Sequence, residues 1–297
     1  MSGGNSLVNV GDVSKPATVL IEKLADAFGG AFRPYQILRV AKAEARAQVI
    51  KAQADIEVSD IQRRALARAM FEEERAQRNM EGIATQALPL LEETATPQNI
   101  EPDWLTAFLA RCRNVSDTDM QAIWSRVLAG EANTPGSYSK RTIETLATLD
   151  ARDAHMFATI CQYAWFVEEW TPVIYNSTAR MLSKELHYDA LSHLVDIGLL
   201  RWDREGTFHC VNLPREMDVT HGDAIIHLQF PQPEDNVLPL GDCLFTNIGK
   251  ELASVVKAEP MPGLLDEVLS YWMALSIVCS SPLPRNIGAN TRAVSHE

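Results

Sequence analysis

Between Pro34 and Gly82 the chain contains neither proline nor glycine, the two residues that most readily end a helix. Ala, Glu, Gln, Lys and Arg, which are strong helix formers, dominate from Pro34 to about Leu88. One helix is predicted there, on the order of 70 to 80 Å long at about 1.5 Å per residue. A helix of that length cannot lie along one small domain, so the chain is expected to divide into a rod (34–92) and a body. Apolar positions Leu38, Ala41, Ala45, Val49, Ala52 and Ile56 form one stripe, and Ile50, Ala54, Val58, Ile61, Ala65 and Ala69 a second. Their mean spacings, 3.6 and 3.8 residues, disfavour the 3.5-residue repeat of a left-handed coiled coil. Two narrow Ala-rich stripes suit side-by-side packing against two neighbours, and Ala45, Ala52 and Ile56 are the expected self-association face.

Charge divides unevenly along the chain. Residues 33–81 hold ten Lys or Arg and eight Asp or Glu, whereas residues 82–297 hold fifteen and twenty-eight. A charge-laced rod therefore carries an acidic body, and the formal net charge of −12 argues against a surface that wraps nucleic acid. The five cysteines, Cys112, Cys161, Cys210, Cys243 and Cys279, lie far apart with no Cys-x-x-Cys pair. Buried thiols in a cytoplasmic protein are expected. No basic cluster leads into an apolar run near Met1, so no signal peptide is read. No apolar window approaches the roughly 20 residues of a membrane-crossing helix.

The predicted fold class is mainly α: a long N-terminal helix, a central helical domain, and a C-terminal α+β domain with a winged-helix look. Residues 1–33 form a tail and an amphipathic helix over 16–32, whose face docks on a neighbouring domain or makes peripheral membrane contact. Residues 93–150 form the helical domain, 151–280 the α+β domain, and 281–297 a disordered tail. In the last domain, Asp153 to Trp170 reads as a helix. Thr178–Leu186 and Tyr188–Gly198 then read as a helix-turn-helix, with a hairpin of Leu199–Trp202 and Phe208–Val211 as its wing.

The most specific string of the chain runs from Trp124 to Thr142. Gly130 closes a helix, Pro135 and Gly136 make a turn, and Ser139 caps the next helix beside Arg141. Glu131 can pair with Arg141 across that turn. No histidine stands near to serve as base, so no catalytic residue is assigned. None of the seven histidines pairs with another at helix spacing, and no glycine-rich phosphate loop is present. No metal or cofactor is therefore predicted.

The pattern Trp-x-x-x-Leu-Ala-Gly-Glu-x-x-x-Pro-Gly-Ser-x-Ser-x-Arg-Thr resembles that of a bacterial domain-of-unknown-function family. Its central motif is similar to the abortive-infection alpha proteins of anti-phage defence. The resemblance spans residues 7–275 and brings no established chemistry with it. Separately, Ala43 to Glu57 resembles the long helices of the stomatin and prohibitin group, which stand in rings or cages.

A winged helix suggests DNA, but between Thr178 and Leu213 four Lys or Arg meet five Asp or Glu. The second helix carries His193 and no Lys or Arg, whereas phosphate binding draws on several cations. The expectation is a non-enzymatic bacterial assembly or sensor protein, acting through homo-oligomerisation and a protein partner, of the defence type the resemblance implies. The alternative is a winged-helix transcription regulator that contacts DNA through His193, Arg201 and Arg204.

Overall fold

A computed structural model describes residues 14–27, 60–167, 172–174, 176, 180, 186–256 and 258–280. Ala45, Ala52 and Ile56, most of the first helix of the expected helix-turn-helix, and the tail 281–297 lie outside the described residues. Helices predominate among the described residues, and short strands occur only after residue 171. Two compact units are present: residues 1–154 with 254–256, and residues 155–253 with 257–297.

In the first unit, α1 (Lys15–Ala27) buries Ala17, Leu20 and Leu24, spaced three and four apart as one helical face requires. This face packs on residues 97–100 and on α3 (Pro102–Cys112). Lys23 interrupts the face in the sequence, yet its ammonium donates to the carbonyls of Gln98 at 2.7 Å and Ile100 at 2.5 Å. Burial lowers the Lys23 pKa. Of the amphipathic segment expected over 16–32, Ala17, Leu20 and Leu24 lie in the protein's own core, and residues 28–32 lie outside the described residues.

Helix α2 (Asp60–Ala87) changes character midway. From Asp60 to Glu73 every residue is exposed, whereas Ala76, Met80, Ile83, Ala84 and Ala87 are buried and pack chiefly against α4 (Thr118–Asn133). Pro89 ends the helix after Ala87, in a 3-10 turn over Leu88–Leu90. The Asn79 amide donates to Arg113 O (2.9 Å) and Ser116 Oγ (3.1 Å), tying α2 to the loop before α4. Helix α3 begins with Pro102 in its first turn, a position where the missing N–H costs nothing. The Asp117 side chain caps α4 by accepting from the amides of Asp119 and Met120. Phe108 stacks on Trp104 and meets Trp124 edge-on, with both ring pairs 5.2 Å apart. Helix α5 (Lys140–Leu146) closes this core with Ile143 and Leu146.

The second unit starts within α6 (Ala151–Cys161). The helix predicted to Trp170 ends here, nine residues early, because the chain turns extended and Phe166 exchanges backbone hydrogen bonds with Thr220. Trp165 is buried all the same, against Trp272 of α9 (Leu264–Ala274). The helix predicted over Tyr188–Gly198 is present as α7 (Tyr188–Asp196), followed by Gly198 at φ +79°, a conformation glycine adopts without strain.

The expected wing is absent among the described residues. Strand β2 (Leu200–Trp202) pairs with β7 (Cys243–Phe245), which also pairs with β1 (Pro172–Ile174), and β3 (Phe208–Leu213) pairs with β6 (Asn236–Gly241). The two strands predicted to form one hairpin thus belong to two sheets. The hairpin that does form joins β4 (Glu216–His221) to β5 (Ala224–Gln229) around Gly222 and Asp223, with β8 (Val278–Ser280) at its edge. Thr246 caps α8 (Asn247–Ala253), as its position before the helix predicts, accepting from Gly249 N at 3.1 Å.

Candidate functional site

The Trp124–Thr142 string folds into the end of α4, a tight loop, and the start of α5. The Glu131 carboxylate, 1% exposed, turns into that loop. Its Oε1 accepts from the Gly136 amide at 2.8 Å and its Oε2 from the Tyr138 amide at 3.0 Å. Gly136 sits at φ +91°, which explains a glycine after Pro135. Arg141 stands exposed on α5. The carboxylate read from sequence as half of an ion pair across the turn is thus held by two backbone amides of its own loop.

Gly130 has a different reason. A Cβ there would lie 2.6 Å from the Tyr138 hydroxyl and 2.8 Å from its ring, so the tyrosine packs directly on the helix backbone. The same hydroxyl hydrogen-bonds to Ser254 Oγ at 3.1 Å. Ser139 Oγ accepts from the Thr142 amide at 3.2 Å, as a cap should. Asn133 completes the corner: its Oδ1 accepts from Glu92 N at 2.9 Å and its Nδ2 donates to Leu90 O at 3.2 Å. Thr96 N donates to Ala132 O beside them.

A cleft of about 580 Å³ opens on this corner, lined by Trp104, Glu131, Pro135, Tyr138 and Lys140 among others. Its rim carries the Lys140 ammonium, 3.0 Å from Glu101 and 3.7 Å from Asp103. The hydrogen bond to Glu101 holds this ammonium above its ordinary range. Trp104 lies in the wall with its indole N–H unpaired, and the Trp124 N–H is unpaired in the core behind it. Ser139, the hydroxyl of the wall, is engaged as a helix cap. Among the described residues, no cluster of His, Cys, Asp and Glu is placed to hold a metal ion. Burial pushes the Cys161 thiol up to about 12 and raises Cys112 and Cys243 as well, so these cysteines stay protonated.

The residues of the DNA reading lie on α7, on β2 and in the turn after β2. His193 lies in the last turn of α7, and Arg201 is exposed on β2. The Arg204 guanidinium lies over the rings of Trp202 and Tyr188, at 4.7 and 5.0 Å from their centroids. Asp203 fixes this turn by accepting from the amides of Glu205 and Gly206. Sequence reasoning missed Tyr138, Asn133 and this Arg–aromatic cluster. The spacing of Gly130 and Tyr138, eight residues apart around a Pro-Gly turn, was the one available signal for the first.

Fold and site define a mainly helical protein with a compact helical unit, built around a glycine-glutamate corner, and a second unit of small antiparallel sheets. The chain belongs to the family described as "Protein of unknown function (DUF2806)", which it matches over residues 63–265, more than half of its 297 residues. That span covers the whole Trp124–Thr142 corner. No curated protein and no solved structure matches the chain. No helix among the described residues is long and apolar enough to cross a membrane.

Proposed function

We propose that this protein is a non-enzymatic bacterial assembly protein, which self-associates through its long N-terminal helix and meets protein partners through its acidic body. The observation that carries this reading is the exposed half of α2. Ile61 and Phe71 stand 68% and 61% exposed there, beside exposed Leu66 and Met70, whereas the second half of the same helix is core. Solvent gains nothing from a rod with four large apolar side chains, and a neighbouring chain does. The second predicted stripe supplies Ile61, Ala65 and Ala69 to that exposed half. A role in abortive-infection-type defence rests on the resemblance of the Leu-Ala-Gly-Glu/Pro-Gly-Ser motif to such proteins. Light scattering of the purified chain tests the assembly reading: an oligomer is expected, and a clean monomer at high protein concentration overturns it.

A further inference from the structure

We infer that the exposed half of α2 pairs antiparallel with the same segment of a second copy, about a two-fold axis near residue 68. This rests on the assembly reading above and gives it a geometry. Arg63, Leu66, Met70, Glu73 and Glu74 follow one another at steps of three, four, three and one, so they share one face of the helix. Leu66 and Met70, both exposed, lie two residues to either side of position 68. An antiparallel copy therefore sets each Leu66 on the other's Met70, and each Arg63 on the other's Glu73 and Glu74. A parallel copy would set arginine on arginine and glutamate on glutamate. Arg68 itself lies off this face, where it pairs with Glu72 of its own helix at 3.6 Å, so the axis brings no like charges together. The exposed stretch fits this register. Asp60 of one copy falls opposite Ala76 of the other, the point where α2 enters its own core. A two-fold contact of this kind is self-complementary, the commonest way for one sequence to recognise itself.

The test is charge reversal in the full chain, read by light scattering across a dilution series. Arg63→Glu alone, and Glu73→Arg with Glu74→Arg, are each expected to weaken association roughly tenfold or more, because like charges then meet twice per dimer. The triple variant regains the association of the parent, and an equimolar mixture of the two weakened proteins forms mixed dimers. Glu73 also pairs with Arg113 of its own chain, so melting curves accompany every variant. Arg63→Glu and Leu66→Glu alter exposed positions of α2 and report on association apart from that pair. An oligomeric parent whose association ignores the reversals, or a triple variant that stays weak, overturns the antiparallel pairing and leaves assembly standing. A monomeric parent overturns both.

Discussion

Tyr138 occupies the space that a side chain on Gly130 would need: a Cβ at that position would stand 2.6 Å from the phenol oxygen. Two effects compete when Gly130 becomes alanine. Helix propensity gains about 1 kcal/mol, while overpacking against a ring that is 6% exposed and tied to Ser254 costs about 1–3 kcal/mol. The clash wins. Gly130→Ala is expected to lower the melting temperature, and in a Tyr138→Ala background the same change is expected to raise it. A double-mutant cycle without coupling contradicts the contact.

Glu131→Gln replaces one carboxylate oxygen by an amide NH₂ that faces a backbone N–H, leaving a buried donor opposed by another donor. A loss of about 2–3 kcal/mol follows, the range for hydrogen bonds to charged groups. Arg141→Gln, at an exposed position, stays within about 0.5 kcal/mol of the parent, and the two changes add. Strong coupling between them in urea denaturation would restore the ion pair across the turn.

His221 is buried, stacked at 4.5 Å on Trp165, and hydrogen-bonded through Nδ1 to the Ala164 carbonyl at 2.9 Å. A carbonyl only accepts, so Nδ1 carries the proton and Nε2, buried without a partner, is a bare lone pair. Burial lowers the folded pKa, against the opposing pull of the Ala164 bond. The sign follows from linkage: the unfolded chain binds the proton more readily, so stability is full above the unfolded value near 6.5 and falls as pH drops below it. Melting curves at neutral and mildly acidic pH are expected to diverge less in His221→Gln than in the parent. Equal pH dependence in the two proteins would remove His221 from this role.

Lys23 holds α1 through two carbonyls. Lys23→Met keeps the apolar stem but loses both charge-assisted hydrogen bonds, a cost of about 1.5–3 kcal/mol each at most. Amides of α1 are expected to exchange hydrogen faster in this variant while those of α4 do not change. Unaltered protection of α1 would show that Leu20 and Leu24 alone secure it.

The Arg204 guanidinium lies stacked over Trp202 and Tyr188 and the surrounding segment is net acidic, so mixed genomic DNA at low salt is expected to show no gel shift. A shift abolished by Arg201→Glu with Arg204→Glu would instead favour the regulator reading.

Local signals were legible in the sequence where a single residue type decides the backbone. Pro102 marks the start of a helix in the body, Ser139 and Thr246 cap helices, and Gly136 makes its turn. Periodicity also found the buried face of α1. It failed where long-range pairing decides the outcome. Leu199–Trp202 and Phe208–Val211 look like a hairpin because they flank a turn, yet each finds its partner about forty or thirty residues later, at Phe245 and Leu238. Trp165 has an inward helical spacing and is buried, but in extended chain. The candidate site was legible as a string and not as chemistry: the sequence pairs charges, so Glu131 pointed to Arg141, whereas backbone amides, which every residue carries, have no letter of their own.

Between Asp60 and Ala87, helix α2 has glycine only at position 82, so between its exposed segment and its buried half there is no built-in hinge. At about 1.5 Å per residue, the fifteen or so described residues outside the core make a stiff arm of roughly 20 Å. Its root is clamped by Asn79, and the chain that follows the helix, at Leu90 and Glu92, by Asn133. A twist or tilt imposed on the exposed segment is therefore not absorbed along the way. It would arrive at Met80 and Ile83, in the half that packs against α4, the helix that carries Glu131. The arm has the shape of a lever whose short end abuts that helix.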